Sequence, residues 1–265
     1  MMNTTNMNWQ GLLHVIMKHG QEANPRGQKT KEVLGMKSMI NMNMPVITIK
    51  ERKLGYKIMA AEAAWIMSGD NRVSTIQPFS KAIGNFSDDG ILFFGAYGPK
   101  IRDQLAHVLQ SLVADNDSRQ AVITIWRQNP RASKDIPCTI SCQFMIRNGQ
   151  LNCFMNMRSS DGWLGVPYDW FNFSMLSAGV ALLLREKGVN VTLGSLHFYA
   201  ASQHLYESNW EGAEQCQDGE ILGDYEPIDL SEFASYDDLV AHLWDLANGV
   251  SSGKKFLKEI GSWKG

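Results

Sequence analysis

The 265-residue chain has little cysteine, little net charge and no long apolar run, and each shortage removes a class of protein. Its four cysteines, Cys138, Cys142, Cys153 and Cys216, form no CxxC pair and no Cys/His cluster at zinc spacing, so no metal site is expected. Free thiols in a reducing cytoplasm are the expected state. A net charge of −2 argues against a protein that wraps a polyanion, and no direct nucleic-acid binding is expected. A few arginines still suffice to hold one phosphate. No apolar run is long enough to cross a bilayer, and the opening MMNTTNMNWQ lacks the basic and apolar regions of a signal peptide. GxGxxG and P-loop patterns are missing, as are internal repeats, low-complexity tracts and linkers. With 44% hydrophobic residues, what remains is a chain able to bury a sizeable core.

The periodicities that are present mix helix and strand. WQGLLHVIMKHG has helical spacing and ends in Gly20, a plausible C-cap. EANPRGQKTKE reads as a polar loop and PVITIK as a short strand. YKIMAAEAAWIM and KIRDQLAHVLQSLVA read as helices, with a loop-rich stretch between them. Three β-rich runs follow, QAVITIW, TISCQFMIR and QLNCFMNMRSS. Asn148-Gly149 between the last two is a hairpin signal. WFNFSMLSAGVALLLREKG reads as a long buried helix and VNVTLGSLHFYA as a strand. Two short amphipathic helices are expected after residue 235. Strands and helices come in blocks, which favours one α+β domain over a doubly wound parallel fold.

Single residues are ambiguous. Cys138 follows Pro137 at a strand start, where a thiol can face a cavity or simply fill the sheet. Arg158 and Ser159 make a good phosphate pair, or an ordinary strand end. Arg26 and Arg119 lie in turns, where solvated charges are usual. Glu62 sits in an otherwise apolar helix; burial would raise its pKa and suit it to proton transfer. His197 and Tyr199 alternate on one strand face and have polar tips suited to a sugar hydroxyl, or to core packing.

Taken together and in order, IPCTISCQF, MRSSDGWLGVPYDWF and GSLHFY resemble the thymidylate synthase superfamily. EAAWIMSGDN and DNDSRQAVITIW are similar to two further segments of that family, and the likeness spans roughly residues 8–210. The resemblance implies an α+β fold with a large mixed or antiparallel sheet packed by helices, one face of which forms a homodimer. It implies a single domain over residues 1–265, with a divergent helical tail from about residue 215. Cys138 would be the nucleophile that adds to pyrimidine C6, Glu62 would assist proton transfer, and Tyr97 matches an active-site tyrosine. Arg26, Arg158 and Ser159 would bind the nucleotide phosphate, with Arg119 supplied by the partner subunit. His197 and Tyr199 would reach the deoxyribose. Asp161, Leu164, Gly165 and Tyr168 would line the pocket of the co-substrate 5,10-methylenetetrahydrofolate.

The chain departs from the family pattern at several places. Gln120 replaces a second arginine, Thr139 replaces a histidine after the nucleophile, and Ile83 and Phe86 stand where two tryptophans are usual. The largest departure is Asp169, where the synthases carry Asn. A carboxylate accepts from the amino group of cytosine. Once C6 is attacked, N3 becomes basic enough to hold a proton, and two donors then face two carboxylate oxygens. With PCT and NMRS-x-D, Asp169 resembles the deoxycytidylate hydroxymethylases of bacteriophages. The expected activity is therefore conversion of dCMP, methylenetetrahydrofolate and water to 5-hydroxymethyl-dCMP, in a host cytoplasm if the gene is a phage's. The alternatives are a dCMP C5-methyltransferase, a dUMP hydroxymethylase or thymidylate synthase, and an inactive homologue that binds nucleotide or RNA.

Overall fold

A computed structural model describes residues 4–258. In chain order the elements are α1 (Thr5–His19), β1 (Gln21–Ala23), β2 (Thr30–Asn41), α2 (Tyr56–Met67), α3 (Val73–Ile76), α4 (Gly98–Ala114), β3 (Val122–Thr124), β4 (Thr139–Arg147), β5 (Gln150–Met157), β6 (Ser160–Asp161), α5 (Val166–Glu186), β7 (Thr192–Tyr206), α6 (Trp210–Gln215) and α7 (Tyr236–Asn248). The strands form one seven-stranded mixed sheet in the order β1-β2-β7-β5-β4-β3, with β6 beside β7. The α+β fold with a large mixed sheet is as the sequence predicts.

Local chemistry explains the pairings. Asn148 and Gly149 hold φ of 51° and 71°, the left-handed pair that a two-residue hairpin demands, so β4 and β5 run antiparallel. β5 and β7 run parallel because α5 carries the chain back between them. One sheet face is apolar and covered: Cys142, Phe144, Cys153, Met155, Leu196, Phe198 and Ala200 are buried. α5 packs on this face through Trp170, Phe171, Phe173 and Leu176, all buried. The other face stays open and carries Leu34, Met39, Ile140 and Tyr199.

Two segments differ from the sequence reading. PVITIK is not a strand; it makes a single bridge, Ile49 to Ile221. Side chains satisfy part of its backbone, Val46 N–H donating to the Tyr225 hydroxyl and Thr48 N–H to Asn6 Oδ1, and the bridge satisfies part, Lys50 N–H donating to the Glu220 carbonyl and Leu222 N–H to the Thr48 carbonyl. Conversely, TKEVLGMKSMIN, partly read as loop, is the twelve-residue β2, paired along its length with β7. Its lysines and the left-handed Gly35 disguise it, and only the distant partner reveals it. In the tail, α7 is present. The second expected helix is turn up to Lys258, and the rest of it lies outside the described residues.

α7 seats on α2 and α5 through a close approach at Gly179. A Cβ there would meet Tyr236 Cε2 at 2.6 Å and Met67 Cε at 2.7 Å. The Tyr236 hydroxyl donates to the Met67 carbonyl at 2.7 Å, which pins the ring in place. Gly179→Ala is therefore expected to cost about 1–3 kcal/mol through overpacking. A melting curve that does not move would show that α7 is not held against α5 there.

Candidate active site

Cys138 lies half-buried at the head of β4 and is held by the start of the loop after β5. Arg158 N–H donates to the Cys138 carbonyl at 2.9 Å. The Arg158 guanidinium donates to the carbonyls of Pro137 and Ile136 and to Ser159 Oγ, at 3.0, 3.1 and 3.0 Å. Both Arg158 Nη2 and Ser159 Oγ stand 3.8 Å from the thiol sulfur. Among the described residues Arg158 has no carboxylate within ion-pair distance, so its charge is available to an anion. Burial pushes the Cys138 thiol up, and Arg158 and the Ser159 hydroxyl pull against it.

This balance has a chemical readout, because Cys142, Cys153 and Cys216 are all buried. Alkylation of the folded protein should report on Cys138 alone. The rate should be low near neutral pH and climb as pH rises, since the thiolate is the nucleophile. Arg158→Met should slow it by about three- to tenfold at fixed pH, one tenfold step corresponding to one pKa unit. An unchanged rate would show that Arg158 does not act on the thiol.

Behind the thiol lies a cleft of about 220 Å³. Glu62 from α2, Tyr97 before α4, Asp135, and Asp169 and Asn172 from the first turns of α5 all line it. Asp169 and Asn172 share a helix face because they are three apart. Burial raises the carboxyl of Glu62, while Asn172 Nδ2, donating to Glu62 Oε2 at 2.9 Å, opposes the rise. Asn172 is 3% exposed, and its Oδ1 has no donor among the described residues. Asp169 is pushed up to about 8 by burial and then by the negative charges of Glu62 and Asp161. The Tyr97 hydroxyl accepts from Thr139 N–H at 3.4 Å and is raised by burial, with Asp169 and Cys138 adding to the shift.

The outer wall of the cleft is apolar, built of Ile83, Phe86, Phe93 and Trp65. The buried Trp65 indole N–H finds no acceptor among the described residues. Asp161 closes the turn that starts α5, its Oδ1 accepting from Trp163 and Leu164 N–H at 2.7 and 3.1 Å. Burial raises the Asp161 carboxyl. Gly165 caps α5, Leu164 is exposed, and the Tyr168 hydroxyl accepts from Gly55 N–H at 3.3 Å.

Other candidate residues lie elsewhere. His197 stacks on Phe154 with ring centroids 4.4 Å apart, and with Tyr199 it lines a hollow of about 410 Å³ on the open sheet face. Asn156 lies between them and Arg158, because β5 pairs with β7 in that register. Arg26, at φ 55°, and Arg119 are exposed, and neither bonds to the Cys138 cluster within this chain. The sequence reading missed Asn172, Trp65 and Arg52. The first two were within reach, each standing three residues after a suspected acid. Arg52 gave no signal in KERKL, yet it is 6% exposed, donates twice to the Trp163 carbonyl and lies 4.8 Å over the Trp163 ring.

A deoxyuridylate hydroxymethyltransferase of Bacillus phage SP01 is 29% identical to the chain over 231 residues. The match covers 78% of this chain, which spans 58% of that relative's length. The family model for thymidylate synthase matches residues 7–218, from α1 to just past α6 and including every residue of the thiol cluster and the cleft. The chain belongs to the thymidylate synthase family.

Proposed function

We propose that the chain transfers a hydroxymethyl group to C5 of a pyrimidine deoxynucleoside monophosphate, with dCMP as the nucleotide for which Asp169 is suited. One observation carries the reading: a thiol flanked by an uncompensated arginine adjoins a cleft holding three acids, Glu62 from α2, Asp169 from α5 and Asp135 from the loop before β4. Cys138 attacks C6 as thiolate, and C5 gains the electron pair. Arg158 and Ser159 bind the phosphate, with Arg26, and with Arg119 contributed by the partner of a homodimer formed on the open sheet face. His197 and Tyr199 bind the sugar. Methylenetetrahydrofolate, as co-substrate, would supply the one-carbon unit to C5; tetrahydrofolate and the C5 proton would then leave, water would add to the exocyclic methylene carbon, and the bond from Cys138 to C6 would break to return the thiolate. Ile83, Phe86, Asp161, Leu164, Gly165 and Tyr168 hold its ring beside the base. Glu62 and Asn172 position the water that completes the hydroxymethyl group, the free Asn172 Oδ1 being its acceptor. Residues 1–265 act as one unit in this reading, the tail after about 215 shaping access to the cleft.

The name of the phage relative favours a second reading, in which dUMP is the substrate. Product mass separates the possibilities. Each nucleotide is incubated with the protein and methylenetetrahydrofolate. The expected gain is one carbon, one oxygen and two hydrogens. A product lacking the oxygen would replace hydroxymethylation with methylation, and the absence of any product would overturn the assignment. If dUMP alone is converted, the second reading stands.

A further inference from the structure

Asp169 is placed unusually for a group that is to be a carboxylate. Glu62 of α2 lines the same cleft, and the charge of Asp161, in the turn before α5, also acts on it. Tyr97, ahead of α4, Asp135, in the loop before β4, and Cys138, ahead of β4, are the other titratable groups around it. No cation forms an ion pair with it among the described residues, and no side-chain donor bonds to it there. Arg158 acts on the thiol, Arg52 is engaged with Trp163, and His204 of β7 interacts with Asp161. α7 meets α5 at Gly179, almost three helical turns away. The N-terminus of α5 favours an anion at this position, but two neighbouring acids and burial outweigh it.

We infer that Asp169 meets its ligand as a neutral carboxylic acid, and that one cleft therefore accepts both cytosine and uracil nucleotides. The inference rests on the pyrimidine reading above. A neutral acid has one donor and one acceptor. With cytosine, its O–H donates to N3 and its C=O accepts from the amino group. With uracil, its O–H donates to O4 and its C=O accepts from N3–H. An amide can serve either base only by turning its nitrogen and oxygen through a half-rotation. An acid does so by moving one proton between two equivalent oxygens, with no heavy atom displaced. The carboxyl at about 8 agrees with this, since the neutral form then prevails near pH 7.

The test is calorimetric titration of the full chain with dCMP and with dUMP, without folate, between about pH 7 and pH 9, in buffers of different ionisation heat. Dissociation constants for the two nucleotides should lie within about tenfold of each other near pH 7. Binding of either should take up a fraction of a proton that grows towards one as pH passes about 8, and Asp169→Asn should remove that uptake. dUMP binding more than about a hundredfold weaker than dCMP binding, no proton uptake, or equal uptake in Asp169→Asn would each overturn the inference. The two-nucleotide comparison needs no variant, so it stands even where Asp169→Asn fails to fold. Failure to bind either nucleotide would sink it together with the pyrimidine reading. Binding of both with a methyl product, or with no product, would sink only the hydroxymethyl assignment.

Discussion

Cys138→Ser should lower product formation by roughly 10³-fold or more while leaving nucleotide affinity nearly unchanged. The alcohol keeps the size of the thiol and the reach of the Arg158 and Ser159 contacts, so binding survives. Its oxygen is far less acidic, and a single arginine whose guanidinium is shared among two carbonyls and a hydroxyl does not ionise it. The loss should therefore fall on kcat, with KM little affected. Single-turnover measurement with saturating nucleotide distinguishes the two. Residual turnover above a hundredth of the original would show that another nucleophile works in the cleft.

Glu62→Gln should cost about 10²–10⁴ in kcat, the range of a positioned proton-transfer group. Gln is isosteric and can still accept from Asn172, so the loss would belong to the proton and not to the packing. The same change should stabilise the fold, and the sign depends on pH. Burial raises the Glu62 carboxyl, so the folded chain holds that proton more tightly than the unfolded chain does. Ionising it as pH rises from the unfolded value through the folded one removes stability. Well below the ordinary glutamate value both states are protonated and Gln should gain little. Near pH 8 it should gain stability, read as a higher Tm than that of the unchanged chain. A Tm difference of the opposite sign at pH 8 would mean that Glu62 is stabilised as an anion by a group outside this cleft.

Much of the candidate cleft and thiol cluster was legible because those residues sit at element ends, where short motifs mark them. Pro137 before Cys138, and Gly165 with Pro167 before Asp169, announce a strand start and a helix start. The helical period around Glu62 separates it from its apolar neighbours. Asn172 was hidden by the absence of a charge, and Arg52 by lying in a run of cations where the others are exposed or half-exposed. Which face of the sheet is covered follows from alternation in β4 and β5. β2 was not legible in the same way, because its residues alternate poorly and its pairing is set by a strand near the other end of the matched region. The loop-like PVITIK failed for the opposite reason: its apolar residues do fill the core, but its backbone pairs with a neighbour at one bridge only and turns to side chains for Val46 and Thr48.

The long pairing of residues 30–41 with residues 195–206 also governs how the chain comes together. During synthesis β2 emerges early and waits for a partner that appears only after α5 has been made. Closing so large a loop before its contacts form is slow, so the joining of β2 to β7 is expected to limit the folding rate. Until then Leu34 and Met39 lie along an unpaired strand, a template for aggregation of nascent chains. Fragments ending before residue 206 should accumulate as insoluble material, and soluble expression requires a chain that runs past the end of β7.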